Sequence, residues 1–80
     1  MPRSLRTPEH EALCRFLTAK RKAAGLTQID VAKALGMEQT HISLIERGQR
    51  RVDVIELLKF ARTLGFDPVE AIKYIQSKQT

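Results

Sequence analysis

Three groups of side chains set the chemistry open to this 80-residue chain. The first is a thiol, Cys14, with His10 and His41 as the two imidazoles that could activate it. A cysteine nucleophile also needs preorganised donors for the charge that develops on its substrate, and no glycine-rich loop or oxyanion motif supplies them. Paired carboxylates on a shared face and clustered metal ligands are missing too, so no catalytic residue, cofactor or metal is assigned and the chain reads as a non-enzyme. Cys14 lies within a helical pattern near Leu13 and Leu17, where a small, partly buried hydrophobe is its natural role. The second group is cationic: Arg47, Arg50 and Arg51 stand in a polar connection where they have no apolar role. The third is the run Gln39, Thr40, His41, Ser43 and Leu44, which faces away from its own helix's apolar side.

Composition favours the cationic chemistry. Fourteen Lys/Arg against nine Asp/Glu give a net charge of +5, which suits a polyanionic partner, with nucleic acid first. The excess is uneven, with six Lys/Arg against two Glu in residues 1–24 and four against four in residues 53–80. No apolar run is long enough for a membrane span. One cysteine excludes an internal disulfide, and the N-terminus lacks the apolar core of a secretory signal, so a cytoplasmic protein is expected. The length makes one domain, with no room for a separate ligand-sensing domain.

The elements that must position these residues follow from caps and periodicity. Residues 1–7 form a basic N-terminal arm, and the domain runs over 8–80. Arg3 and Arg6 of that arm either grip phosphates or belong to a frayed end. Thr7-Pro8 opens a helix to about Ala24, with Leu13, Phe16, Leu17 and Ala24 at helical spacing and Gly25 as the stop. Arg21 falls on the same stripe, so one cation of Lys20-Arg21-Lys22 turns inward and needs a carboxylate. Thr27 caps a second helix from Gln28 to about Leu35, and Gly36 ends it left-handed. A third restarts near Glu38, with Ile42 and Ile45 inward. Ala32 is small where two helices cross steeply.

Asp53 and Glu56 form a capping box for a fourth helix with Val54, Leu57, Leu58, Ala61 and Leu64 inward, and Phe66 drops into the core. Asp67-Pro68-x-Glu70 repeats that logic for a fifth, through about Ser77. Its apolar residues Val69, Ala71, Ile72, Tyr74 and Ile75 make a broad stripe. Either it packs within the domain with Tyr74 half exposed, or Ala71, Tyr74 and Ile75 also meet a second copy. The result is an all-α, five-helix architecture. Residues 28–48 read as a helix-turn-helix, the alternative being an ordinary helical hairpin with a polar outer face.

Gly25-Leu26-Thr27-Gln28, Val31-Ala32, Leu35-Gly36, Gln39, Ile42-Ser43, Ile45-Glu46 and Gly48 together resemble the Cro and phage-repressor type of DNA-binding domain, the xenobiotic-response-element-like regulators. The resemblance covers about residues 9–76. It implies a lambda-repressor-like fold whose third helix enters the major groove of double-stranded DNA. It further implies that Gln28 holds a phosphate, that Gln39, Thr40 and Leu44 face base edges, and that Arg50 and Arg51 meet phosphate. Arg21 and Glu46 match an internal salt bridge. Glu38 departs from the usual small cap and either accepts from a cytosine amino group or leans away. Leu44 departs from a polar residue and can offer a thymine methyl only an apolar contact. His41 is a solvated residue or a DNA contact of pH-dependent strength.

The function expected is a sequence-specific transcriptional regulator, a repressor binding a two-fold-related operator as a homodimer. Its candidate DNA-binding residues are Gln28, Glu38, Gln39, Thr40, His41, Ser43, Leu44, Arg47, Arg50 and Arg51. The alternative is a protein-interaction module, an antitoxin with a toxin partner or a coactivator, for which DNA is secondary.

Overall fold

A computed structural model describes residues 7–78. Five helices follow one another: α1 (Pro8–Ala23), α2 (Gln28–Leu35), α3 (Gln39–Glu46), α4 (Val54–Leu64) and α5 (Pro68–Gln76). Arg3 and Arg6 lie outside the described residues.

Four of the five helix starts are written in the chain. The Thr7 hydroxyl accepts from the His10 amide at 3.1 Å, with Pro8 in the first turn, where its missing N–H is no loss. Thr27 and Asp30 close a reciprocal capping box on α2, at 3.0 and 2.9 Å. Asp53 and Glu56 do the same on α4 at 2.7 and 3.3 Å. The start of α5 differs from expectation: Asp67 accepts from Val69, while the Glu70 carboxylate pairs with Lys20 at 3.0 Å and ties α5 to α1. The start of α3 has no side-chain cap, because the Glu38 carboxylate makes no capping hydrogen bond.

The turn that makes the motif is three residues long. Gly36 adopts φ +68°, a region open to glycine at little cost, and the Met37 amide donates back to the Ala32 carbonyl at 2.9 Å. The chain thereby leaves α2 and enters α3 at once, and Met37 packs on the core.

Leu17, Val31, Ile42 and Ile45 are sealed at the centre, each contributing about 1.5–3 kcal/mol through burial. Helix α1 lies against α5 and α3, and α2 against α3 and α4. Phe16 and Phe66 meet edge-on, with centroids 5.1 Å apart, and Tyr74 tilts over Phe16 at 5.6 Å. Ala71 is fully buried, which withdraws it from any contact with a second copy. Tyr74 and Ile75 are half-buried against the same core, whereas Val69 and Ile72 of the same stripe stay 52% and 45% exposed.

Three apolar assignments change. Val54 and Leu58 face outward, at 68% and 49% exposure, and Phe60 takes the inward place. Ala24 is exposed beyond the end of α1, whereas His10 and Cys14 are buried within it.

Candidate nucleic-acid interface

Gln28 and Gln39 are the first residues of α2 and α3, and the short Gly36 turn brings them side by side. The Gln39 Nε2 donates to Gln28 Oε1 at 2.6 Å. Gln28 Nε2 in turn donates to Glu46 Oε1 at 3.0 Å. Glu46 is held from the other side by Arg21, Nε to Oε2 at 2.6 Å and Nη2 to Oε1 at 3.0 Å. Arg21 Nη1 also donates to the Leu26 carbonyl at 2.8 Å. A continuous hydrogen-bonded row therefore runs from a shielded ion pair to the exposed tip of α3.

The chemistry of that row is directional. Arg21 and Glu46 are 13% and 10% exposed at their side chains, so the pair is charge-assisted, forked and little screened. The hydrogen bond from Arg21 to Glu46 pushes the guanidinium pKa up, so the cation persists at any working pH. Glu46, an acceptor only, fixes Gln28 with its NH2 inward and its oxygen outward. That oxygen takes one N–H of Gln39. The other N–H and the Oε1 of Gln39 remain to face solvent, which is the donor and acceptor pair a glutamine presents to adenine N7 and N6.

Around this row, Glu38, Thr40 and His41 are exposed, and Ser43 and Leu44 partly so, while Ile42 and Ile45 anchor the opposite side of α3. Arg47 is exposed at the end of α3, its Nε reaching the Ser43 carbonyl at 3.4 Å. Arg50 departs from its expected place. Its two terminal nitrogens grip both Glu56 oxygens at 3.2 and 3.1 Å, and the same hydrogen bonds raise its pKa. Glu56 thus serves the α4 capping box and the arginine together, and Arg50 orders the connection between α3 and α4. Arg51 is exposed on that connection.

Two couplings escape the sequence reading. The spacing Thr27-x-x-Asp30 carries the signal for the capping box on α2. The link between Gln28 and Gln39 has no local signal, since it depends on how sharply the turn crosses the helices. Away from this face, Cys14 is 3% exposed with its Sγ 3.6 Å from His10 Nε2. Burial, then the Glu11 charge, pushes the thiol pKa up, the reverse of what a nucleophile needs. Among the described residues no three His, Cys, Asp or Glu side chains gather as a metal site, and no helix is long and apolar enough to cross a membrane.

The fold and this face define a class, and comparison with known proteins gives the family. The helix-turn-helix family model matches residues 17–70. An uncharacterized HTH-type transcriptional regulator of Sinorhizobium fredii, y4dJ, is 40% identical over 52 residues, covering 65% of this chain and 68% of that protein. YqaF of Bacillus subtilis, described in the same terms, is 38% identical over 53 residues, 66% of this chain and 70% of its own. Among solved structures, an XRE-family like protein from Pseudomonas syringae superposes with a TM-score of 0.79 at 36% identity, over 90% of this chain and 88% of that one. The restriction-modification controller protein C.AhdI from Aeromonas hydrophila gives 0.72 at 32%, over 78% and 94%. The chain belongs to the helix-turn-helix family of XRE type, which comprises DNA-binding transcriptional regulators and is not a class of enzymes.

Proposed function

We propose that this regulator is a repressor that binds a two-fold-related operator as a homodimer and acts by occupying it in the bacterial cytoplasm. The observation that carries the reading is the row from Arg21 to Gln39, which presents a glutamine amide in one fixed orientation at the start of α3. Gln39 and Thr40 read base edges in the major groove, with Glu38, His41, Ser43 and Leu44 beside them. Leu44 contributes apolar contact with a thymine methyl. The Gln28 backbone amide at the start of α2, with Arg47 and Arg51, sets the register on phosphates.

Dimerisation is supported by apolar side chains left exposed on two helices that pack together: Ile55 and Leu58 on α4, Val69 and Ile72 on α5, each between 45% and 62% exposed. These replace Ala71, which is fully buried, and extend the half-buried Tyr74 and Ile75 as the interface. The same exposed residues are what a toxin or other protein partner would use under the interaction-module reading.

The test is salt dependence. With Arg50 committed to Glu56, the two cations Arg47 and Arg51 of each subunit engage phosphate, and a dimer gives a slope of log affinity against log salt of roughly minus four rather than the minus seven of four cations. A slope near zero would sink the proposal and leave the interaction module.

A further inference from the structure

Lys33 and Leu35 at the end of α2 and Lys59, Arg62 and Thr63 on the second half of α4 line a cleft of about 410 Å³. No carboxylate lines it, and among the described residues none pairs with Lys33, Lys59 or Arg62. The three salt bridges seen join Lys20 to Glu70, Arg21 to Glu46 and Arg50 to Glu56. The nearest acid on the same helix, Asp30, is held by Thr27, and Lys33 is only the last influence on its titration.

Ordinary structural reasons explain two of these cations singly, since Lys33 and Arg62 lie in the last turns of α2 and α4, where a cation answers the helix dipole; they do not explain why three cations line one cleft with no carboxylate among them. Lys59 sits in the middle of α4, where the dipole gives it nothing. It also stands three residues from Arg62, a like-charge pair on neighbouring positions that destabilises a helix. A third cation, Lys33, faces them from another helix. The volume is within the range of small-molecule sites, and Leu35, Ala34 and Thr63 line the cleft together with the three cations.

We propose that this cleft binds a small molecule bearing a di- or triphosphate. Lys59 and Arg62, one turn apart, take successive phosphoryl groups, with the guanidinium gripping two oxygens and Lys33 closing from α2. The occupant is small, and not the DNA backbone, because Lys33 follows Gln28 by five residues and so points about 140° away from it around α2. The cleft therefore opens away from the row that ends at Gln39. It gives the domain a ligand site without a separate sensing domain, and it stands whether or not the operator-binding mode proposed above is right.

The experiment is a titration of the full isotope-labelled chain with inorganic pyrophosphate and, separately, with ATP, at fixed ionic strength and followed by amide chemical shifts. Saturable shifts confined to residues 33–36 and 59–63 are expected with both probes, tighter for ATP if Ala34 and Leu35 take the nucleoside. The variant Lys59→Ala/Arg62→Ala loses about tenfold affinity or more for each charge-assisted hydrogen bond removed. Its thermal melt stays near that of the parent because both side chains are exposed, and Lys33→Gln gives a second, milder reduction should the pair fail to fold. Shifts that never saturate, that spread over every basic segment, or that survive the double variant overturn the proposal. So does a shallower salt slope for DNA binding by the double variant, which would assign these cations to phosphates of the duplex.

Discussion

Glu46 joins the interior to the reading face, since one carboxylate accepts from Arg21 on its shielded side and from Gln28 on its exposed side. Removing either member of the Arg21–Glu46 pair leaves a poorly solvated charge, a change of roughly 3–5 kcal/mol in a domain whose whole stability is of order 5–15 kcal/mol. An inward cation was legible from its place on an apolar stripe, whereas Glu46 as its partner came only from the family resemblance. The fate of Arg50 was not legible, because Glu56 had already been accounted for by its capping box, and a carboxylate with two oxygens can serve two partners. Arg50→Ala accordingly lowers stability by about 0.5–1 kcal/mol, the scale of a partly exposed ion pair, and leaves the salt slope of DNA binding unchanged. Arg51→Ala makes the slope shallower by about 0.9 per subunit. Urea melts and filter binding at several salt concentrations read both effects.

At the scale of the elements, the helix starts and stops were legible because threonine, aspartate, proline and glycine each act through their own backbone. The inward face of α4 was not. Val54, Leu57, Leu58 and Ala61 satisfy helical spacing as well as Leu57, Phe60, Ala61 and Leu64 do, and only packing under Phe66 and α1 selects the second set. Gly36 carries the geometry of the motif. A Cβ there meets nothing within 4 Å, so Gly36→Ala costs only the left-handed conformation, about 1–2 kcal/mol, visible as a lowered urea midpoint with an unchanged m-value. The capping box on α2 has a pH signature. Hydrogen bonds from Thr27, backbone first, hold the Asp30 carboxyl below its ordinary 3.8. A depressed folded pKa stabilises the fold above the unfolded value and loses that contribution as pH falls through the folded one. Thermal melts of Asp30→Asn should thus fall below the parent near neutral pH and converge with it in acid below pH 3.8. A constant gap across that range would contradict the cap.

The described residues span 34 × 28 × 20 Å. In the proposed reading the domain gains its specificity from one short helix, and three elements align that helix's tip: α1 supplies Arg21, α3 supplies Glu46, and α2 supplies the glutamine between them and the tip. The five-helix plan and the outward set on α3 were readable in advance because they follow from local spacing. Which apolar residues of α5 stay outside was not, because they outnumber the places inside the domain, and the sequence does not say which are left over.

The central claim is that Gln39, aligned by Gln28 and Glu46, reads a base within a two-fold operator. Selection of bound sites from random duplex DNA, run in parallel with the parent and with Gln39→Ala, tests it directly. The account predicts an inverted repeat for the parent and, for the variant, the same repeat with preference lost at one symmetry-related pair of positions, a change of about 1–3 kcal/mol at each. A selected set without two-fold symmetry, or an identical motif from both proteins, would contradict it.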